Sequence, residues 1–447
     1  MACFSWQTPC PRGVFRAILK SGWAAIHNAA RHLPTHARTV RFRTDARPPA
    51  VVALLLLVAS LSAREAGARQ TGAPTTPTAA TAPDTASPRL VRVCAGGDVT
   101  LATNLDTSWA PFFARKYKVR SPALPNPDAL LAPLRPLLRD ADVVLLNVEG
   151  AIGRGRAPSK CGPHSTACFA LRMPPAAAPA LRRVGGRVPV VGNVANNHAR
   201  DAGPAGFDST RARLTRARVR VTGADTLATV VATRRGDTVA FLGFSTSGEP
   251  DARDLEGVRR HVARAAARHA RVVVTAHIGA EGVAAQRTRD TVERFYGADR
   301  GNPVAFAHAA VDAGADLVIG HGPHVLRAAE WYGDALVLYS LGNLVTYGPF
   351  AFAEPIARGA LACVQLDASG RVEQAELRAT RQRRPGRVAV DRDRRAAVLV
   401  DSLSRLDFPE TGARVSSRGL ISRPEADSLA PDTVGRSTRV PRGGRSE

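Results

Sequence analysis

The sequence predicts a mixed α/β domain in which a sandwich of β-sheets is covered by helices. Apolar runs that read as strands alternate with helical patterns in the first part of the ordered region, which is typical of βαβ units. Farther along, three pairs of strand-like runs flank turns that contain Gly236, Gly333 and Gly370, which indicates hairpins. Hydrophobic residues make up 45% of the 447 residues, enough for a substantial core.

The individual elements follow from hydrophobic periodicity. Residues 142–148 (DVVLLNV) form a continuous apolar run, which predicts a strand that is covered on both faces. The other strands are predicted at 90–95, 188–194, 219–222, 228–233, 238–244, 272–276, 316–319, 329–331, 335–339, 359–366 and 372–379. Helical patterns cover 128–140, 176–184, 206–217, 255–269 and 304–313.

Composition divides the chain into four segments. Residues 1–68 form a basic extension that contains an apolar segment, and residues 69–88 are a Thr/Ala/Pro-rich linker with little to bury. Residues 89–380 are the folded domain. Residues 381–447 read as an Arg/Ser/Pro-rich tail with one short helix near 395–406.

The apolar segment predicts export. Residues 50–63 read AVVALLLLVASLSA, a helix of about 21 Å, which is short of the ~30 Å hydrocarbon core of a bilayer. Arginines precede it, and Ala66-Gly67-Ala68 follows as an A-x-A cleavage pattern. We therefore expect an extracytoplasmic protein. It is either secreted or periplasmic after signal cleavage, or anchored by residues 50–63.

The cysteines fit an oxidising compartment. Cys161 and Cys168 bracket a short loop and are interpreted as a disulfide, which would contribute about 2.5 kcal/mol. The alternative is a metal site with His164 as a third ligand. Cys94 and Cys363 lie in apolar strand-like runs and are expected to be buried free thiols.

The net charge of +24, from 62 basic and 38 acidic residues, predicts an attraction to anionic polymers or lipid headgroups. Nearly all of the basic residues are arginine. The sequence has no zinc-finger spacing, no RNP-like aromatic strand and no recognisable helix-turn-helix. We therefore expect no nucleic-acid partner.

Polar residues gather at the ends of six predicted strands. Carboxyl ends of strands are where open α/β sheets bind ligands. His nitrogens and carboxylate oxygens suit Mn, Fe or Zn, and a pair of such ions can clamp an anion and activate a water. Each residue alone is more often structural, so the joint pattern carries the inference. Its members are Asp98, Asn147, Glu149, Asn197, His198, His277, Glu281, His321, His324 and Asn343.

The same segments resemble the capsule-synthesis CapA family, which is associated with poly-γ-glutamate capsule production. The matching motifs, which span roughly residues 90–350, are GGDVTL (96–101), ADVVLLNVEGAI (141–152), VANNHARDAG (194–203), HIGAE (277–281), ADLVIGHGPHVL (315–326) and YSLGNLV (339–345). This family is similar to the calcineurin-like metallophosphoesterases. The resemblance therefore implies a metallo-dependent phosphatase-like fold: a two-sheet sandwich flanked by helices, with disordered basic tails.

The resemblance also implies one or two divalent metal ions (Mn, Fe or Zn). Their ligands would be Asp98, Asn147, Glu149, Asn197, His198, His277 and His321. Beyond the resemblance, we expect His324 and His198 to be catalytic, Glu281 to orient His277, and Asn343 to lie behind the ligands. Two features depart from the metallophosphoesterase pattern. Asp98 is not followed by an x-His, and two residues rather than one separate His321 from His324.

These observations predict an exported CapA-family protein in the biosynthesis or export of a poly-γ-glutamate-type polymer. Its site would be a metal-dependent hydrolase centre acting on an anionic polymer or a phosphoester, alongside membrane-bound capsule synthesis partners. The alternative is a non-catalytic accessory of the envelope polymer machinery that binds polyanions through arginine.

Overall fold

A computed structural model describes residues 89–101, 125–154, 160–161, 168–348 and 352–424. In chain order, the first elements are β1 (Val91–Thr100), α1 (Pro127–Leu131), a 3₁₀ helix (Ala132–Leu138), β2 (Val143–Val148), β3 (Ala151–Ile152), β4 (Arg172–Met173), α2 (Ala177–Val184), β5 (Val190–Asn193), α3 (Gly203–Arg216), β6 (Arg220–Thr222), β7 (Thr229–Ala232) and β8 (Thr238–Ser245).

The remaining elements are α4 (Leu255–Ala266), β9 (Val272–His277), a 3₁₀ turn (Val283–Ala285), β10 (Arg294–Phe295), β11 (Ala298–Asp299), α5 (Pro303–Asp312), β12 (Leu317–His321), β13 (Ala329–Tyr332), β14 (Ala335–Leu338), β15 (Asn343–Thr346), β16 (Arg358–Leu366), β17 (Val372–Arg383), β18 (Arg387–Val390), α6 (Arg395–Asp407), β19 (Arg414–Val415) and β20 (Leu420–Ser422).

Two large sheets stack face to face. The first has the order β19-β20-β17-β16-β1-β2-β5-β6, with β15 also paired to β1 and β18 to β17. The second has the order β13-β14-β12-β9-β8-β7. Strands β1, β2, β5 and β6 are parallel, as are β8, β9, β12 and β14, while the predicted hairpins β7–β8, β13–β14 and β16–β17 are antiparallel.

Three apolar layers hold the sandwich together. Side chains such as Val93 and Phe241 fill the space between the two sheets. On the outer face of the first sheet, Val144 packs in one cluster with Leu181 of α2. The outer face of the second sheet is covered by α4 and α5, for example through Phe306. The predicted fold class, a two-sheet sandwich flanked by helices, is confirmed.

Two predicted elements differ from the structure in ways that matter for the site or for the type of helix. β1 runs to Thr100 instead of ending at residue 95, so Asp98 lies within the strand and not after it. A Cβ on Gly97 would stand 1.9 Å from the carbonyl oxygen of Gly342, so glycine here permits a close approach to the loop before β15. The helix predicted over residues 128–140 is a short α-helix followed by a 3₁₀ helix, because Pro133 and Pro136 interrupt the α-helical hydrogen bonds.

The folded domain extends beyond residue 380, so the prediction of a tail from residue 381 is wrong for the residues that follow directly. β17 continues to Arg383, β18 pairs with its end, and β20 pairs with its first half. The helix predicted near residues 395–406 is α6, which places Ala397 and Val400 in the core between the sheets. The strands after residue 383 have two to four residues each, too few for periodicity to reveal them within an Arg-rich sequence.

Cysteine pairing is partly as predicted. Cys161 and Cys168 form a disulfide, as we interpreted them, and His164 lies outside the described residues. The prediction that Cys94 and Cys363 are free thiols is wrong, because they form a second disulfide. The two residues lie directly opposite each other on β1 and β16, a register that sequence alone does not give.

The basic extension, the export segment and the linker, residues 1–88, also lie outside the described residues. None of the helices that are described has the length and apolar character needed to cross a bilayer.

We expect the two disulfides to differ in their contribution to stability. Cys94–Cys363 closes a loop of 269 residues, for which the chain-entropy model gives about 5.5 kcal/mol. Cys161–Cys168 spans only 7 residues, for which the same model gives about 2.5 kcal/mol. Denaturant unfolding of the Cys94→Ala/Cys363→Ala and Cys161→Ala/Cys168→Ala variants measures this difference. An equal or larger loss in the second variant would contradict the expectation.

Candidate metal centre

The sequence-predicted polar residues meet at one edge of the sandwich. Asp98, Asn147 and Asn193 lie in register on β1, β2 and β5. Across the sandwich, His277 and His321 lie in register on β9 and β12. Because these strands are parallel within each sheet, their carboxyl ends share an edge, and side chains from both sheets converge there.

The Asp98 carboxylate, which has no solvent exposure, stands at the middle of the cluster. Its Oδ1 lies 3.9 Å from His321 Nδ1 and 4.0 Å from His277 Nδ1. Its Oδ2 lies 2.9 Å from His324 Nδ1. Three imidazoles from two segments of the second sheet therefore surround one carboxylate from the first.

Glu149, the residue after β2, forms the second focus of the cluster. Its Oε1 lies 3.5 Å from His324 Nε2, 3.9 Å from His277 Nε2 and 4.0 Å from His198 Nε2. Asp98, Glu149 and His324 each offer a ligand atom within 4.8 Å of the others. That separation is suited to a shared cation. His324, which we predicted to be catalytic, is therefore also a candidate metal ligand.

The loop after β12 explains the two-residue spacing between His321 and His324. Gly322 has φ +112° and His324 has φ +58°, both in the left-handed region. This turn carries the chain back on itself, so that both rings face Asp98 despite the additional residue. A non-glycine residue in this conformation is uncommon and is found where surrounding structure holds it.

Asn147 holds the cluster through its amide group. Its Nδ2 donates to Asp98 Oδ1 at 2.7 Å and lies 3.3 Å from His277 Nδ1. Its Oδ1 accepts bonds from the amides of Asn193 and Asn196. The oxygen that we predicted as a metal ligand is therefore engaged by these two amides, and Asn147 orients Asp98 and His277.

Several buried ligand atoms have no hydrogen-bond partner within the described ranges. They include Glu149 Oε1, Asn197 Oδ1, His277 Nε2 and both ring nitrogens of His321. An unpaired buried polar atom costs about 1–3 kcal/mol, and native structures rarely leave several together. Imidazole nitrogens with carboxylate and amide oxygens are a donor set for Mn, Fe or Zn. The residues present therefore fit a divalent cation.

Burial keeps most of the histidines neutral, the state that binds metal. It lowers the pKa of His198 and His277, and it lowers the pKa of His321 to about 4. Burial also raises the pKa of Glu149 well above its usual range.

His324 and Asp98 form the charged pair of the cluster. Burial alone would lower the pKa of His324, but Glu149, Asp98 and Glu281 outweigh it, and the pKa is raised well above its usual value. Burial likewise opposes the charge of Asp98, yet its hydrogen bond to His324 and the surrounding imidazoles lower its pKa. A positive charge beside Asp98 is therefore favoured by this site.

His198 is fixed by an aspartate that sequence reasoning did not assign. The ring Nδ1 of His198 donates to Asp201 Oδ2 at 2.6 Å, which leaves Nε2 directed at Glu149. Asp201 is fully buried, and its Oδ1 pairs with Lys160 Nζ at 2.6 Å. The available signal was the position of Asp201 three residues after His198, but the partner Lys160 lies 38 residues before His198 in sequence.

Glu281 and Asn343 contact His324, and Glu281 does not occupy the role that we predicted for it. Glu281 Oε1 accepts from Arg300 at 2.6 Å and from Asn197 Nδ2 at 3.2 Å, and its Oε2 lies 3.8 Å from His324 Nε2. We expected Glu281 to orient the ring of His277. Instead, Asn147 contacts that ring. Asn343 Oδ1 lies 3.1 Å from His324 Nδ1, behind the proposed ligands.

Residues 92–347 match a family described as bacterial capsule synthesis protein PGA_cap. The chain belongs to this family. It is 32% identical over 223 residues to the "Probable polyglutamine synthesis accessory protein" of Mycobacterium tuberculosis H37Rv, an alignment of 46% of this chain and 55% of the relative. It is 31% identical over 170 residues to the "PGA biosynthesis protein CapA" of Bacillus subtilis, covering 34% of this chain and 41% of the relative. The chain thus spans about half of these relatives' length, or less.

Two solved structures also overlap this fold. One is a phosphatase from Mycoplasma pneumoniae, with 13% identity and a TM-score of 0.38 over 66% of this chain and 94% of that one. The other is a 5'-nucleotidase precursor from Thermus thermophilus, with 15% identity and a TM-score of 0.32 over 72% of this chain and 60% of that one. At these scores, neither structure bears on the chemistry of this chain.

A buried ion pair outside the ligand set supports the loop of Glu281. Arg327, which is 1% exposed, donates both Nη atoms to the two oxygens of Glu293. Glu293 Oε2 also accepts from the backbone of Ala280. We expect Arg327→Met to lower the free energy of unfolding by about 3 kcal/mol or more, because it leaves the Glu293 charge unpaired.

Denaturant unfolding of Arg327→Met, Glu293→Gln and the double variant tests this interaction. We expect the double variant to lose at least about 1 kcal/mol less than the sum of the single losses. The matched control is Arg253→Met, which breaks the more exposed pair with Asp251 and should cost under about 1 kcal/mol. Additive losses at Arg327 and Glu293 would contradict the coupling.

Proposed function

We propose that this chain is an exported CapA-family protein that acts on a poly-γ-glutamate-type polymer, or on a phosphoester linked to its synthesis, through a divalent-metal hydrolase centre. One observation carries the proposal: separated segments of the chain bring Asp98, Glu149 and four histidines into one buried cluster with unpaired ligand atoms. Membership of the capsule synthesis family and relatives named for polyglutamine synthesis and PGA biosynthesis support the polymer context.

The geometry supports a particular set of ligands. Asp98, Glu149 and His324 would hold the cation, with His277, His321 and His198 within 4.0 Å of those carboxylates. Asn197 has a buried oxygen free to join them. When bound, such a cation lowers the pKa of a coordinated water and polarises an ester or amide oxygen.

The protein supplies orientation and charge around this centre. Asn147 and Asp201 fix the rings of His277 and His198 before any substrate arrives. Among the cluster histidines, the His324 side chain is the most accessible at 21%, against 9% for His198 and 1% or less for His277 and His321. His324 is therefore the cluster histidine most open to a bound substrate.

Two basic residues lie at the periphery of the centre. Arg300 pairs with Glu281, and Lys160 pairs with Asp201. Positive charge in these positions would attract an anionic group toward the cluster.

Export is part of the proposal. The segment of residues 50–63 has the composition of a signal or anchor. Two disulfides, one of them buried inside the first sheet, support an oxidising compartment, because such bonds are rare where cellular thiols are kept reduced.

We expect Mn²⁺, Fe²⁺ or Zn²⁺ to stabilise the full-length protein. Ligand linkage gives about 2.7 kcal/mol at a metal concentration one hundred times the dissociation constant. Asp98→Asn and His321→Gln should abolish both the bound metal and the rise in Tm. His261→Gln, a partly exposed histidine on α4, is the control and should behave as wild type. A wild-type protein that stays metal-free with unchanged melting in excess of all three metals would refute the metal centre.

Hydrolysis distinguishes an enzyme from a binding accessory. We expect the metal-loaded protein to hydrolyse a generic phosphodiester such as bis(p-nitrophenyl) phosphate, and Asp98→Asn to reduce the rate by at least about 100-fold, the scale set by loss of one electrostatic catalytic group. Metal binding without hydrolysis of this ester or cleavage of polyglutamate would favour the non-catalytic accessory.

A further inference from the structure

A cleft at the opposite edge of the first sheet is lined by five arginines. The cleft has a volume of about 370 Å³, within the range of ligand sites. Its arginines, which define what we call the arginine cleft, are Arg182, Arg187, Arg218, Arg220 and Arg234. Arg187 precedes β5 and Arg218 precedes β6, so the cleft lies at the amino ends of these parallel strands. The metal centre lies at their carboxyl ends, so the two sites are separate.

The charges in the arginine cleft are not neutralised by the protein. Across the described residues, none of the five guanidinium groups pairs with a carboxylate. Arg182 donates to the carbonyls of Gly186 and Val188, and Arg220 donates to that of Val230. Elsewhere the surface arginines are often paired, as Arg92 and Arg378 are with Asp140 and Glu376. Five like charges around one concavity repel each other unless an anion binds between them.

The backbone at Arg218 provides a second, independent observation. Arg218 has φ +63° and follows the last turn of α3. Its backbone N–H donates a hydrogen bond to the carbonyl of Thr215. Glycine is the usual residue in this left-handed position at a helix end, because a side chain there is strained. The chain instead places a guanidinium at this position, on the wall of the cleft.

We propose that the arginine cleft binds a segment of a carboxylate polymer, at a site distinct from the metal centre. Guanidinium forks match carboxylates bidentately, and several along one cleft suit repeated carboxylates on one chain. The four other lining residues are aliphatic, proline or threonine, so the cleft offers no aromatic ring on which a nucleic-acid base could stack. The choice of polyglutamate as the carboxylate polymer rests on the proposed function. The charge and shape of the cleft are independent of the proposed function.

Arg218→Gly gives a sharp test because charge and backbone strain change together. The substitution removes one cleft charge and places the preferred residue at a left-handed position. We therefore expect equal or higher Tm with weaker polymer binding, a combination that misfolding does not produce. Arg394→Gly is the matched control: Arg394 is also exposed, has φ +58°, and lies outside the cleft at the start of α6. It changes the net charge by the same amount.

The assay is the affinity of the full-length protein for fluorescent poly-γ-glutamate of defined length, measured between about 50 and 200 mM salt. Five contacts, each releasing roughly 0.7 counterion, predict an affinity loss of about 100-fold over this range. Arg218→Gly should bind about five-fold more weakly at ~0.1 M salt, and Arg187→Gln/Arg218→Gly/Arg234→Gln should lose most of the salt dependence. Arg394→Gly should bind as wild type does.

Three results would overturn the proposal. The first is equal binding by Arg218→Gly and Arg394→Gly, which would make the attraction a property of net charge. The second is tighter binding of a single-stranded oligonucleotide or of inorganic polyphosphate than of polyglutamate at matched charge. The third is loss of polymer binding in Asp98→Asn, which would place the polymer at the metal centre. If the protein binds no metal but shows the polymer binding expected of the arginine cleft, the hydrolase proposal is wrong and the cleft proposal stands.

Discussion

The arrangement of this domain depends on the burial of the Asp98 carboxylate where the two sheets meet. A carboxylate with no solvent exposure is tolerated only when opposite charge and hydrogen bonds replace its water. Asn147 provides one bond, His324 provides a charge, and the backbone N–H of Asp98 bonds the carbonyl of Gly342. Each partner comes from a different segment, so holding this one group fixes the relative positions of β1, β2 and the loops after β12 and β14.

Most residues of this cluster could be predicted from the sequence because their meeting point depends only on the strand topology. Parallel strands deliver their carboxyl ends to one edge, so the polar residues that follow them meet there. The placement of Asp98 was less accurate, since Gly96 and Gly97 read as a strand terminator. In the structure the glycines lie inside β1, because the carbonyl of Gly342 would collide with any Cβ at residue 97. That constraint comes from a segment about 245 residues away and leaves no local pattern.

The sequence could not predict contacts between residues that are far apart in the chain and meet only in the folded domain. Cys94 and Cys363 lie opposite each other only because β16 pairs antiparallel to β1, and apolar runs alone do not reveal that pairing. Asp201 follows His198 closely, but its function depends on Lys160, which reaches it from beside the disulfide-closed loop. In the same way, Glu281 was assigned to the nearest histidine in sequence, although the folded chain brings it to His324.

The first sheet places opposite chemistries at its two edges. Strand β5 has only four residues, about 13 Å, yet the segment before it carries Arg187 and the segment after it carries Asn197 and His198. The carboxyl edge concentrates anionic and neutral ligands that favour a cation, and the amino edge concentrates cations that favour an anion. At the carboxyl edge, the Asp98 carboxylate is already balanced by His324 and Asn147. A bound cation would add net positive charge at that edge, which would attract a long anionic chain held by arginines at the other edge. Metal occupancy would thereby favour the approach of such a polymer to Asp98 and Glu149.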